Sequence, residues 1–459
     1  MTTFSKPNGG AFFTEESSLR RRKLGAILNT EPNNQEDDHE SSPRTSCASV
    51  PSSPRFNNYN QGIMFPSTPP SNPTSSSTSP YPFSPWNQPS PLTKSPWIQQ
   101  EPFGLDEYND YLNNIPRYGH IGSLVREEGH VYSLAASGDL LYTGSESKNI
   151  RVWKNLKEYS GFKSHSGLVK AIVVLGDKIF TGHQDGKIRL WKLSDRKKKV
   201  YKRIGNLPTT RDYIKTSMNP KNYVEVRRNR IRPWIRHFDA VSSMSVDIQR
   251  GLLYSGSWDK TFKVWRLSDS KCLESVDAHE DAVNSIAVGF DGLVFTGSAD
   301  GTVKVWRREL VGRISKHILV ETLLEQANAV TSLVVNSAAA VVYTGSSDGL
   351  VNFWQRAKHF FSHNGVLRGH KLAVLCLALG GNLVLSGSAD KSICVWRREE
   401  GGAHSCMSVL TGHVGPVKCL AMEEEDVNDE SKGDQRWIVY SGSLDKSVKL
   451  WRVSENEPL

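Results

Sequence analysis

The chain has 459 residues of which 37% are apolar, fewer than the ~45 to 50% of an ordinary globular protein, so part of it cannot be building a core. The longest purely apolar run, LAVLCLAL at 372–379, is far short of the ~18 residues a membrane span needs, MTTFSKPNGG gives no expectation of a secretory signal, and six cysteines without a CxxC pair argue against a disulfide framework. The net charge of +9 is local: residues 192–236 carry 15 Lys+Arg against 3 Asp+Glu, residues 1–116 carry 8 against 11, and the remainder balances.

In chain order, the first expected unit is a disordered tail over 1–115. Residues 41–100 hold 15 Ser and 13 Pro, a composition that buries too little apolar area to offset the entropy of ordering the backbone. Ser or Thr precedes Pro at Ser42, Ser53, Thr68, Ser79, Ser84, Ser90 and Ser95. These are phosphorylation candidates for a proline-directed kinase, each phosphate adding about −1.5 to −2 charges; chance in a Ser/Pro-rich stretch is the plain alternative. Arg20, Arg21, Arg22 and Lys23 fit a nuclear signal or, more simply, a solvated charge run.

From residue 120 the sequence repeats. YTGSESKNIRVW, FTGHQDGKIRLW, YSGSWDKTFKVW, FTGSADGTVKVW, YTGSSDGLVNFW, LSGSADKSICVW and YSGSLDKSVKLW end at Trp153, Trp191, Trp265, Trp306, Trp354, Trp396 and Trp451. A spacing near 40 with longer intervals means an array of one supersecondary unit carrying insertions. Each block reads as strand, tight turn, strand: Asp-Gly or Asp-Lys makes the turn, and Phe262 and Val264 then alternate with Lys263. A shorter apolar run such as VNSIAV at 283–288 precedes each block, and one such as KCLESV at 271–276 follows, giving four strands per unit.

These blocks resemble the WD-repeat family over roughly 120–453. The resemblance implies an all-β fold, a seven-bladed β-propeller, with a hydrogen-bonded set of His, Ser/Thr, Asp and Trp in each blade. Carried over by position, the sets are His165, Thr181, Asp185 and Trp191; His237, Ser255, Asp259 and Trp265; His279, Thr296, Asp300 and Trp306; His370, Ser386, Asp390 and Trp396; His413, Ser441, Asp445 and Trp451. Indole is donor-only and carboxylate acceptor-only, so hydroxyl and imidazole can relay between them. The first blade departs, with Glu127 and Ser147 in place of His and Asp, and the fifth has Gln326 in place of His. Too little chain follows Trp451 for a last strand, so HIGSLVREE at 120–128 is expected to complete the seventh blade. A narrower resemblance, carried by 206–243 with the Ser/Pro-rich leader, is to plant WD-repeat proteins of the Jingubang type, regulators linked with pollen germination.

Three places exceed what the repeats require. A basic insertion at about 194–234 interleaves Arg196, Lys197, Lys198, Lys199, Arg227, Arg228, Arg230, Arg232 and Arg236 with Tyr201, Tyr213, Tyr223 and Trp234; this fits an acidic protein, a nucleic acid or an anionic surface, or a solvated loop. An acidic loop at 423–436 has 7 acids and 2 bases and reads as a solvated loop or a contact for the insertion. By resemblance, the propeller mouth is lined by Tyr132, Lys170, Ser242, Asn284, Thr331, Leu375 and Lys418, with Trp258 nearby as an interface anchor or packed against a neighbouring loop.

No nucleophile elbow, P-loop, HExxH or dinucleotide fingerprint occurs in the sequence. Cys376, Cys394, Cys406 and Cys419 with His370 and His413 have zinc-ligand chemistry but fall at core-like strand positions. The reading is a monomeric, non-catalytic scaffold without metal or cofactor, binding proteins or peptides in the cytoplasm, the nucleus or both. The alternatives are a nucleic-acid-associated transcriptional regulator and a substrate receptor of a cullin ubiquitin ligase; the latter is disfavoured because Trp is followed by Lys, Arg or Gln in every repeat rather than by Asp.

Overall fold

A computed structural model describes residues 119–125, 129–164, 168–194, 199–227, 230–312, 314–358, 360–425 and 435–455. The expected tail over 1–115, with its Ser/Thr-Pro sites and the Arg20 cluster, lies outside the described residues, as do Glu127, His165, Arg196, Lys197, Lys198, Arg228 and most of the acidic loop.

Seven four-stranded antiparallel sheets form the blades of a propeller. Blades 1 to 6 occupy 131–163, 169–207, 241–277, 283–325, 330–368 and 374–410, each in simple sequential strand order. Blade 7 takes three strands from 417–454 and its fourth from Gly119–Val125, which pairs antiparallel with Ser447–Ser454, His120 opposite Trp451 and Val125 opposite Ser447. The ring is closed by joining the two ends of the repeat array.

The turn chemistry of the repeat is visible in the backbone. After the turn Asp, Gly186, Gly301 and Gly349 have φ of +71°, +84° and +86°, while Lys260, Lys391 and Lys446 hold the same left-handed conformation. A Cβ at Gly301 would also stand 1.8 Å from the Gln326 carbonyl oxygen, so this turn admits only glycine.

The alternation expected around Lys263 has a different meaning in three dimensions. Both faces of a blade pack on neighbours: Leu252, Tyr254, Phe262 and Val264 of blade 3 meet Val283, Ile286, Val294 and Trp306 of blade 4. Lys263 is therefore buried as well, and its ammonium donates to the Trp234 carbonyl and the Ser275 hydroxyl, both at 2.6 Å. A buried charge needs such partners, and Lys304 repeats the device on the Ala278 carbonyl at 2.8 Å. Farther out, Glu274 accepts from His317 Nδ1 at 2.7 Å, linking blades 3 and 4.

The expected insertion at 194–234 is not one segment. Tyr201–Leu207 is the outer strand of blade 2, paired with Ile188–Leu193. Lys199 thus sits in the turn before that strand, and the remainder, 208–240, links its far end to blade 3. Lys199 and the link therefore lie at opposite ends of the Tyr201–Leu207 strand. The link folds into helix α1 (Thr210–Ser217), capped by the Thr209 hydroxyl accepting from Asp212 N, then a 3₁₀ turn (Pro220–Asn222) and a hairpin of Tyr223–Arg227 with Arg230–Pro233. Tyr213 and Trp234 pack against the blade 2 and blade 3 core, whereas Ile214, Met218, Val224 and Ile231 stay exposed.

Candidate binding face

Four of the five carried-over sets come together. Trp265 Nε1 donates to Ser255 Oγ at 2.8 Å, that oxygen lies 2.8 Å from His237 Nε2, and His237 Nδ1 lies 2.9 Å from Asp259. With a donor-only indole at one end and an acceptor-only carboxylate at the other, the serine must donate to Nε2 and the imidazole carry its proton on Nδ1. The same chain joins Trp306, Thr296, His279 and Asp300; Trp396, Ser386, His370 and Asp390; and Trp451, Ser441, His413 and Asp445, with every step between 2.7 and 3.1 Å. Each carboxylate also accepts from the backbone two residues on, fixing the turn.

Blade 2 is built otherwise. Trp191 donates to Thr181 at 2.9 Å, but the imidazole on Thr181 Oγ1 is that of His183, at 2.8 Å and fully buried, and Asp185 is held by both guanidinium nitrogens of Arg189 at 3.2 and 2.7 Å. Among the described residues Asp185 is paired with arginine; His165, the histidine expected there, lies outside them. Burial, and then the Arg189 charge, push His183 down to about 3. His183 was legible as the histidine in TGHQDG, where other blades have serine, but only the fold shows that its ring reaches Thr181.

Among the described residues, the departing blades show other contacts in place of the relay. In blade 1, Trp153 donates to Thr143 at 3.1 Å and Ser145 meets Ser147 at 3.0 Å. In blade 5, Gln326 donates to Ser346 at 2.8 Å and Asp348 accepts from Asn328 at 3.2 Å, leaving Thr344 Oγ1 buried without a hydrogen-bond partner among the described residues.

The cysteines do not converge on those histidines as a set. Cys376 hydrogen-bonds weakly to the Val417 carbonyl at 3.6 Å, Cys394 lies 3.8 Å from His370 Nδ1, Cys419 is buried, and Cys406 is exposed rather than in the core as expected.

At the mouth the expected residues divide into two kinds. Ser242 donates to the Val283 carbonyl at 2.5 Å, Asn284 to Val330 at 2.8 Å and Thr331 to Val374, each reaching the first inner-strand residue of the next blade. Ser133 does the same to Val169 at 3.0 Å, a role sequence reasoning did not assign. These side chains fasten the ring instead of facing a partner. Leu375 is buried among Ala373 and Ala389.

The others gather on one arc formed by blades 1, 2, 3 and 7. The Lys170 ammonium lies 4.0 Å from the Tyr132 ring centroid and 5.1 Å from that of Trp258, so a cation is held between two aromatic faces. Burial, and then the neighbouring Lys418 charge, lower Lys170 to about 8 against a partial counter-effect of Glu146. Burial lowers Lys418 too. Among the described residues, no carboxylate comes within ion-pair distance of either ammonium. Trp258 N donates to the Ala240 carbonyl at 3.1 Å and Arg236 donates to the Asp185 carbonyl at 3.2 Å, so the 208–240 link lies on this same face. Arg227 and Arg230 belong to its hairpin strands.

Closed seven-bladed geometry, repeated His-to-Asp relays spent on structure and an aromatic-flanked cationic mouth define a repeat propeller. The sequence model described as WD domain, G-beta repeat matches 122–154, 229–266, 270–307, 318–355, 361–397 and 404–452, half of the chain, and the chain belongs to the WD-repeat family. Blade 2, where the relay is altered, falls outside the matched stretches.

Among similar proteins, Nuclear distribution protein nudF 1 of Talaromyces marneffei is 27% identical over 226 residues, 49% of this chain and 41% of that protein. Nuclear distribution protein PAC1 of Candida dubliniensis is 31% identical over 18% of this chain and 21% of its own length, and Cell division control protein 4 of Saccharomyces cerevisiae is 30% identical over 19% and 10%. The chain thus spans less than half the length of each of these relatives. The solved structure of a computationally designed protein, Ika8, superposes with a TM-score of 0.50 at 23% identity, covering 73% of this chain and all of that one, which speaks to fold alone. No helix of the described residues is long and apolar enough to cross a membrane.

Proposed function

We propose that the chain is a non-catalytic scaffold that captures acidic protein segments at the arc of Lys170, Lys418, Tyr132 and Trp258, with the 208–240 link as a second contact on the same face. WD-repeat propellers generally bind proteins, and the observation that carries this reading is the Lys170 ammonium, sandwiched by two rings and without an ion-pair partner among the described residues. An acidic side chain entering the mouth supplies the missing counter-charge, while Trp258 offers the flat apolar area typical of interface anchors. The exposed Ile214, Met218, Val224 and Ile231 beside Arg211, Lys215 and Arg232 give the link a mixed apolar and basic surface suited to a protein more than to a bare phosphate backbone. A role in plant development such as pollen germination, and residence in the cytoplasm or nucleus, are proposed on the 206–243 resemblance and the sequence character alone; the fungal and animal relatives do not speak to them.

The test is affinity capture from cells with the full chain and its Lys170→Glu and Trp258→Ala variants, with nuclease treatment and a salt series. Each substitution is expected to remove a nuclease-resistant set of proteins, with at least a tenfold loss of affinity for any one partner measured pure, about 1.4 kcal/mol. An unchanged set overturns the mouth reading, and loss on nuclease treatment favours the nucleic-acid alternative. Acidity gives an independent check. Lys170 is charged below about 8 and neutral above it, so affinity for an acidic partner is expected to fall as pH rises from 7 to 9, and Lys170→Arg is expected to abolish that decline because arginine stays protonated throughout.

A further inference from the structure

The mouth continues past Lys418 onto blades 6 and 7. In blade 3, Trp258 N donates to the Ala240 carbonyl; the same bond recurs from Ala389 to Ala373 at 2.9 Å in blade 6 and from Leu444 to Pro416 at 3.0 Å in blade 7. The turns at Asp390 and Asp445 therefore lie on the Trp258 face, beside the chain that enters each inner strand. Lys371 N and Val414 N donate to those two carboxylates at 3.0 Å, which sets Lys371 and Leu372 next to Lys391, and Val414 next to Lys446. The two blades are neighbours, Cys376 of one reaching the Val417 carbonyl of the other.

This sector carries more than the repeat requires. Leu372 and Val414 are 54% and 78% exposed. In blades 3 and 4 the place of Leu372 is taken by Asp239 and Asp281, each accepting from the following backbone N–H at 2.8 Å; blade 6 forgoes that bond and presents an aliphatic surface, flanked by the buried Ala373, Leu375 and Ala389. Lys391 and Lys446 have φ of +73° and +70°, where Gly301 and Gly349 serve in blades 4 and 5. That conformation is strained for a residue with a Cβ, so both turns hold a lysine against local preference. The charge does not balance either. Lys371, Lys391, Lys418 and Lys446 have no carboxylate within ion-pair distance among the described residues, whereas Asp390 and Asp445 on the same face are already held by His370 and His413. Four lysines against two carboxylates leave a surplus of two positive charges. Glu146 of the adjoining blade 1 faces His130 at 3.5 Å.

An exposed aliphatic pair rimmed by unneutralised ammoniums fits a polypeptide that places carboxylates beside a large apolar side chain, and complementary charge orients such a partner. A nucleic acid supplies the charge without the aliphatic group. We propose that this sector receives an acidic peptide segment with a large aliphatic side chain, that side chain resting on Leu372 and Val414 and its neighbouring carboxylates on the Lys391 and Lys446 ammoniums. The partner class is that of the mouth reading, on which this rests; what is added is a sequence requirement, an aliphatic residue next to the acidic ones.

The test is fluorescence anisotropy with the full chain and three labelled probes: a peptide of four Glu-Glu-Leu repeats, one of four Glu-Glu-Ser repeats and an oligothymidylate of equal length. The Glu-Glu-Leu peptide is expected to bind at least about tenfold more tightly than the Glu-Glu-Ser peptide, and the Leu372→Ser and Val414→Ser double variant to erase that difference. Replacing both strained lysines, Lys391→Gly with Lys446→Gly, is expected to weaken both peptides about fivefold while the melting temperature holds or rises by a degree or two, because glycine relieves the two turns. Lysines kept for structure alone would give the reverse, a lower melting temperature with binding intact. Lys316→Gln, on the outer strand of blade 4, is expected to change nothing. Equal binding of the two peptides, binding of neither, or tighter binding of the oligothymidylate than of the Glu-Glu-Leu peptide overturns the proposal. Lys170→Glu, measured alongside, separates the two readings. If it abolishes binding while the blade 6 and 7 variants bind as the parent does, the mouth reading stands and this sector falls; if only the blade 6 and 7 variants lose binding, the mouth reading falls and this sector stands.

Discussion

Asp259→Ala is expected to destabilise the propeller by about 3–5 kcal/mol, because removing one partner of a buried pair leaves the other uncompensated. The Asp259 and His237 side chains are 2% and 1% exposed and 2.9 Å apart. The substitution also strands Phe238 N and Thr261 Oγ1, both of which donate to the carboxylate. The matched control is Asp348→Ala in blade 5, where the carboxylate is exposed and its only side-chain partner among the described residues is Asn328; a change within about 1 kcal/mol is expected there. Thermal and denaturant unfolding of the two variants decide the matter. Equal losses would mean that the His-to-Asp relay adds nothing to the turn geometry both blades share.

Acid unfolding tests the same relay without mutation. Burial alone would raise the Asp259 carboxyl, but its pairing with His237 outweighs that and holds it well below the usual range; Asp300 and Asp445 are lowered in the same way through His279 and His413. A carboxyl depressed in the folded state leaves the unfolded chain binding more protons, so its stabilisation is complete above about pH 5 and is lost as pH falls through 4 and below. His183, buried and held at about 3, acts in the same direction from near pH 6.5 downward. The melting temperature is therefore expected to decline on acidification in two stages, and His183→Gln to shrink the upper one, to which His404, held at about 4, also contributes.

The second large effect concerns ring closure. A chain beginning at Gly119 is expected to fold as the full chain does, whereas one beginning at Glu127 is expected to aggregate or unfold. The missing strand covers the edge of Ser447–Ser454, buries Leu124 against Val448 and Leu450, and sets His120 edge-on to Trp451 at 5.2 Å. Its loss removes the hydrogen bonds along that strand at about 1 kcal/mol each, about 1.5–3 kcal/mol from Leu124, and leaves an open edge that templates association. Light scattering and amide exchange at 447–454 report the result, and a 117–128 peptide added in trans is expected to restore a monomer. A monomeric, equally stable truncated chain would show that blade 7 holds the ring with three strands.

Much of this architecture is legible in one dimension because a blade is a local object. Strand, Asp-Gly or Asp-Lys turn, strand and a terminal Trp follow each other within about a dozen residues, so period and turn chemistry expose all seven blades and even the borrowed strand at 120–128. The relays were legible for the same reason wherever the histidine precedes the inner strand. Blade 2 adds what the pattern does not show: Arg189, two residues before Trp191, holds Asp185, and His183 meets Thr181 Oγ1. The single basic insertion was misread because charge density ignores strand pairing: Tyr201–Leu207 is too polar to announce itself as a blade's outer strand, and only its pairing with Ile188–Leu193 puts Lys199 and the 208–240 link at its opposite ends.

The functional surfaces depend still more on assembly. Tyr132, Lys170 and Trp258 come from three blades, at sequence separations of tens of residues. Sequence by itself determined the repeat, the blade count and the closure, because each is set by short-range periodicity and turn stereochemistry. Tertiary structure alone decided which mouth residues are spent fastening the ring and which remain for a partner, because burial and hydrogen-bond competition between neighbouring blades exist only once the ring has closed.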